Sequence, residues 1–174
     1  LCRALGMDNA GSVVEFAGSA VSAMSMAERM VLTNMSAEMG ADTALIAPDE
    51  TTLAHIAQHG GDSDHNALSW CSDANAVYAR SFTLDANALG PMVAAPHSPA
   101  NSSGIAEHAG TRIDQAYIGA CVGAKLEDLH MAAAILKGRK VAKGTRLLVA
   151  PSSAQTTAQA AAAGTLATLT AAGA

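Results

Sequence analysis

The chain has 174 residues, half of them apolar, 14% charged and only 3% aromatic, with a formal net charge of -5. An acidic balance with no basic run longer than 137–143 argues against a nucleic-acid partner, and no apolar stretch reaches the roughly 20 residues of a bilayer span, which argues against a membrane one. One Trp, two Tyr and two Phe leave the core to Ala, Leu, Ile, Val and Met, which suits helices on sheets better than a β-sandwich.

In chain order, residues 11–18 (GSVVEFAG) read as a short extended segment bounded by glycines. Residues 25–39, rich in Met, Ala and Glu, read as a helix broken near Thr33-Asn34 and a second helix that stops at Gly40. The apolar run 43–47 (TALIA), ended by Pro48, has the length of a buried strand, and Asp49 or Thr51 can cap a helix over 52–58. Residues 60–64 are a polar, glycine-rich loop. The alternation in 81–85 (SFTLD) predicts a half-buried strand, and the prolines that follow predict a long loop up to Gly110.

The second half is more regular. Residues 114–121 (DQAYIGAC) predict a strand running into a glycine turn. Residues 127–138 predict a helix with Leu129, Ala132, Ala133 and Leu136 on one face. A further strand over 145–150 (TRLLVA) ends at Pro151; Ser152 or Ser153 caps an alanine-rich helix to about Ala163, and Gly164 starts a last helix to Ala172. Strands alternating with helices make this an α/β chain with mostly parallel sheets and helices packed on them. A soft boundary near Asp85 divides it into two subdomains, 1–84 and 85–174. Three widely spaced cysteines, Cys2, Cys71 and Cys121, do not form a disulfide framework and point to a reducing, cytoplasmic compartment. The chain opens without an initiator Met, in glycine-rich sequence, and reads as a piece of something longer.

Cys121 is the most informative position. It follows a predicted strand and precedes a helix, the place where open α/β sheets build their functional crevice. A thiol there is available as a nucleophile, as a metal ligand, or as an inert small side chain. No C-x-x-C or H-x-x-x-H partner lies close in sequence to complete a zinc site. Glu38 by itself reads as a solvated helix residue and Asn34 as a helix cap. Asp49-Glu50 reads as a helix start, Glu127-Asp128 as a capping and dipole feature, and His97 and His130 as surface or packing histidines. Arg139, Lys140 and Lys143 read as a solvated basic face.

Two blocks change the reading of these residues. The string 118–153 (IGACVGAKLEDLHMAAAILKGRKVAKGTRLLVAPSS) and the string 14–52 (VEFAGSAVSAMSMAERMVLTNMSAEMGADTALIAPDETT) resemble, in order and spacing, motif blocks of the aconitase family, above all the isopropylmalate dehydratase and homoaconitase branch. Between them, Trp70, Pro91 and 96–101 (PHSPAN) also fit. The resemblance implies an aconitase-like three-layer α/β/α fold and a hydro-lyase that interconverts 2- and 3-hydroxy acids of the isopropylmalate or methylmalate type. It implies that Cys121 is one of three thiolates holding a 4Fe-4S cluster, whose iron acts as a Lewis acid on the substrate hydroxyl. Asn34 and Glu38 map to family residues beside cluster and substrate. A small swivelling subunit or domain would complete the site and supply a serine base.

The match also departs from the family. Val122-Gly123 stand where the family has Thr-Asn, and Lys125 stands where many members have Arg. The other two cluster cysteines are expected after Ala174 and further histidine elements before Leu1. With one thiolate of three, this piece alone is expected to hold no cluster and to be inactive. Loss of the Thr-Asn pair also leaves open a non-catalytic α/β interaction or scaffold domain derived from that fold.

Overall fold

The computed structural model describes residues 1–62 and 64–174; the loop expected over 60–64 includes Ser63, which lies outside the described residues. The contacts divide the chain into two compact units, Leu1–Ala109 and Gly110–Ala174.

The first unit contains α1 (Cys2–Leu5), β1 (Val13–Glu15), α2 (Ser19–Ser22), α3 (Met26–Met35), β2 (Thr43–Leu45), α4 (Glu50–Gln58), β3 (Met92–Ala94) and β4 (Ser102–Gly104). Strands β1 and β2 pair in parallel, from Val13 opposite Thr43 to Glu15 opposite Leu45. Ser25 starts α3 with a reciprocal box: its hydroxyl accepts from Glu28 N at 3.3 Å, and Glu28 Oε2 accepts from Ser25 N at 2.8 Å. The break expected at Thr33-Asn34 does not occur. Thr33 Oγ1 donates to Arg29 O at 3.3 Å and Ser36 Oγ to Leu32 O at 3.0 Å. Hydroxyls that compete with a helix elsewhere are here absorbed by it.

Helix α3 therefore runs to Met35, and the chain tightens into the 3₁₀ turn Ala37–Met39. It stops at Gly40, whose φ of 79° is left-handed and where a Cβ would stand 2.8 Å from Met7 O. Asp49 caps α4 by accepting from Thr52 N at 3.1 Å, as the sequence predicts.

Two expectations in this unit are corrected. No strand forms over 81–85, and Phe82 and Leu84 are exposed; alternation yields a strand only where a neighbouring strand completes the ladder. The proline-rich region instead folds into the antiparallel pair β3–β4, Met92 opposite Gly104 and Ala94 opposite Ser102. Its prolines sit before β3 and in the connection, outside the ladder. Arg3 Nη1 donates to Ser102 O at 2.9 Å, tying this hairpin to the start of the chain across a separation that no local pattern registers.

The second unit contains β5 (Gln115–Gly119), α5 (Ala120–Gly123), α6 (Leu126–Leu136), β6 (Arg146–Ala150), α7 (Ala154–Ala162) and α8 (Thr165–Ala172). Strands β5 and β6 are parallel and in register from Gln115–Arg146 to Gly119–Ala150, with α6 in the crossover between them. Ser153 caps α7 by accepting from Thr156 N at 3.0 Å. Ala124, Leu129, Ala133, Ala160 and Leu169 form the core, with Ile118, Val149 and Leu166 packed on it. Alanines at these positions let the helices approach closely, which is the structural use of the alanine-rich composition. Burying Leu129 and Leu169 contributes about 1.5–3 kcal/mol each. No helix among the described residues is long and apolar enough to cross a membrane.

Candidate functional site

Asn34 lies in the last turn of α3 and Glu38 in the 3₁₀ turn that follows; both side chains are exposed. Asn34 is inside the helix, so the capping alternative does not hold. Ser36 between them keeps right-handed dihedrals (φ -65°, ψ -28°), so the chain keeps winding and the two residues stay about one turn apart. The turn is rigid underneath. Ser36 is fully buried and Met39 is 1% exposed. Asn9 Nδ2 donates to Met39 O at 2.8 Å, and Ala41 N to Ser36 O at 3.2 Å. An exposed amide and an exposed carboxylate are thus presented from a buried, hydrogen-bonded base, which suits groups that must meet a small polar ligand in a set orientation.

The helix that carries them is held by an ion pair that is buried on its arginine side. Arg29, 2% exposed, donates to both carboxylate oxygens of Asp49 at 2.6 and 2.7 Å and to the carbonyls of Met24 and Ser22 at 3.1 Å. The guanidinium holds the Asp49 carboxyl down at about 2, with Thr52 N–H assisting and partial burial opposing; the same pair raises the Arg29 pKa. Asp49 is the helix start that the sequence predicts, while its partner Arg29 is not among the residues the sequence singles out. The available signal was an Arg at an apolar-face position of an amphipathic helix, where an unpaired charge is costly.

In the second unit Cys121 is exposed, in the first turn of α5 at the carboxyl end of β5. The expected glycine turn is therefore this short helix, reached through Ala120, which has a left-handed φ of 65°. Such a conformation costs an alanine about 1 kcal/mol. Gly119 precedes it, and the Tyr117 ring occupies the space a side chain there would need. The loop after the cysteine is pinned: Lys125 Nζ donates to Val122 O at 3.0 Å, Lys125 N to Asp128 Oδ2 at 3.0 Å, and Ser152 N to Ala124 O at 2.9 Å. Asp128 is thus the cap of α6 that its position suggests.

His97 is exposed in a turn, and His130, exposed on α6, has Nδ1 2.8 Å from Thr165 Oγ1. Both fit the surface or packing reading. Arg139, Lys140 and Lys143 are exposed.

Cys2 and Cys71 belong to the other unit. A 4Fe-4S cluster needs a set of cysteine thiolates, and among the described residues no three His, Cys, Asp or Glu side chains form a metal-holding group. Cys121 is free and exposed in the first turn of α5, so its sulfur is accessible, but the described residues do not assemble the set.

A sequence model of the Aconitase family (aconitate hydratase) matches residues 2–112 and 105–174. The chain is 37% identical over 150 residues to the 3-isopropylmalate dehydratase large subunit of Citrifermentans bemidjiense, covering 82% of this chain and 35% of that protein. It is 39% identical over 150 residues to the 3-isopropylmalate dehydratase large subunit 2 of Archaeoglobus fulgidus, covering 86% and 36%. To the 3-isopropylmalate dehydratase large subunit of Heliobacterium modesticaldum it is 40% identical over 138 residues, covering 79% and 32%. The chain spans about a third of the length of the curated relatives it matches.

Proposed function

The chain belongs to the aconitase family, and from that membership we propose that it is part of the catalytic large subunit of a 4Fe-4S hydro-lyase acting on 2- and 3-hydroxy acids of the isopropylmalate type. The observation that carries this reading is the family match along nearly the whole chain, including the segments around Asn34, Glu38 and Cys121. Relatives named as large subunits support a small partner subunit that completes the site, and the spaced cysteines support a reducing, cytoplasmic setting.

Cys121 would supply one of the thiolates for the cluster, and the remaining ligands would come from outside these residues. When bound, the cluster supplies a Lewis-acidic iron that weakens the bond to the substrate hydroxyl. The chain's own contribution is positional and acid–base. The Asn34 amide donates to an anionic acceptor, and the Glu38 carboxyl gives a proton to the hydroxyl as it leaves as water and takes one back from the water that re-enters, while a base outside these residues removes and returns the proton on the neighbouring carbon. The buried turn beneath them keeps both in place.

The test uses the complete protein with its small subunit, reconstituted anaerobically with iron and sulfide. Wild type shows cluster absorption and dehydrates isopropylmalate; Cys121→Ser loses both. Glu38→Gln keeps the absorption and loses about 10²- to 10⁴-fold in kcat. Unchanged absorption and turnover in Cys121→Ser would overturn the proposal. One feature favours a second reading, a non-catalytic scaffold: Val122-Gly123 put no polar side chain beside Cys121. That reading predicts no cluster in the wild type.

A further inference from the structure

The carboxyl-terminal end of α4 carries a pair of histidines, His55 in its last turn and His59 at its C-cap, in which Asn34, Glu38 and Cys121 take no part. His55 and His59 are four residues apart, so their side chains leave the same face of the helix one turn from each other. The two rings face one another with centroids 4.2 Å apart and planes inclined by 40°. His59 Nδ1 lies 2.8 Å from the backbone carbonyl oxygen of His55. A carbonyl oxygen only accepts, so Nδ1 is the donating nitrogen, which leaves Nε2 as the nitrogen that can offer a lone pair to a metal.

Histidines that bind metals are commonly held in this way, with one nitrogen tied to a backbone carbonyl and the other available. Position adds to the chemistry. His59 sits at the carboxyl end of a nine-residue helix, where unsatisfied carbonyls place negative potential and favour a cation. His55 is half-buried and His59 exposed, so one ligand is restrained and the site stays open to solvent.

We propose that His55 and His59 form a two-imidazole site for a divalent transition metal of the Cu²⁺, Ni²⁺ or Zn²⁺ type, with water in the remaining positions. Imidazole nitrogen selects these ions over the hard, oxygen-seeking Mg²⁺ and Ca²⁺. No third side chain joins the pair among the described residues, so the metal exchanges rather than being locked in. The site is independent of the hydro-lyase reading and stands or falls separately from it.

Ni²⁺, and Mg²⁺ as control, are titrated into the complete protein by isothermal calorimetry. One Ni²⁺ site is expected that Mg²⁺ does not fill. It weakens about tenfold or more in His55→Gln and in His59→Gln, because either change removes the chelating partner. Circular dichroism checks that both variants fold; His59→Gln, on the exposed helix end, carries the test by itself if His55→Gln does not fold. A Ni²⁺ isotherm unchanged in His59→Gln assigns the metal to an exposed thiol such as Cys71 or Cys121 and overturns the proposal. An equal response to Mg²⁺ overturns it as well.

Discussion

At Cys121 the neighbouring backbone matters as much as the thiol. Ala120 holds a left-handed φ of 65°, the region that disfavours every side chain and least of all glycine. Ala120→Gly is expected to raise stability by about 0.5–1 kcal/mol, read from the urea midpoint; a loss of stability would mean that the alanine methyl makes compensating contacts. Beyond the cysteine, a Cβ at Gly123 would meet nothing within 4 Å, so no contact of that atom requires glycine there. The double change Val122→Thr, Gly123→Asn is expected to alter stability by no more than about 0.5 kcal/mol. On the proposed hydro-lyase reading, the same change in the complete protein is expected to slow cluster loss under air, followed by absorption; faster loss would show that the present pair suits the site as it stands. None of this backbone detail is legible in the residue string, since Ala-Cys-Val-Gly carries no local demand for a left-handed turn.

Among the elements, α3 depends most on one interaction. Arg29 is almost wholly buried while the Asp49 side chain is 39% exposed, so the pair is anchored from the arginine side. Arg29→Met is expected to cost about 2–3 kcal/mol, less than for a fully enclosed pair because the stranded carboxylate keeps water. Arg29→Lys recovers only part, since an ammonium cannot reproduce the two-pronged bond. The Asp49 carboxyl titrates at about 2 in the folded chain against an ordinary 3.8. Its folded value lies below its unfolded one, so its contribution is full above pH 3.8 and is lost as pH falls toward 2. The stability gap between wild type and Asp49→Asn should therefore be constant near neutrality and shrink between pH 4 and pH 2, measured by urea unfolding. A gap that widened in acid would contradict the pairing. The helix itself was legible from its Ser25–Glu28 box; its true end was not, because Thr33 and Ser36 resemble breakers until their hydroxyls find carbonyls one turn back.

At the scale of the whole molecule, the first unit leaves several large apolar side chains in the open: Trp70 is 71% exposed and Val77 97%, with Phe82, Leu84 and Leu89 at least half exposed. The 174-residue chain by itself should therefore bind a hydrophobic dye strongly, and its single Trp70 should be readily quenched by iodide. A weakly quenched, dye-negative chain would show that these residues find cover that the structure does not give them.

Local patterning in the sequence determined the α/β class, the caps of α4, α6 and α7, and the order of strand and helix in the second unit. Those features depend on neighbours within a turn or two. Cys121 stood out by its place between a predicted strand and a helix, whereas Asn34 and Glu38 stood out only through resemblance to a family. Only the tertiary structure decided that 81–85 forms no strand, that the proline-rich segment pairs into β3–β4, that Arg29 reaches Asp49, and that His55 and His59 stack at the end of α4. Each depends on which distant or next-turn partner completes a hydrogen bond or contact, and such partners are chosen by packing in space rather than by adjacency along the chain.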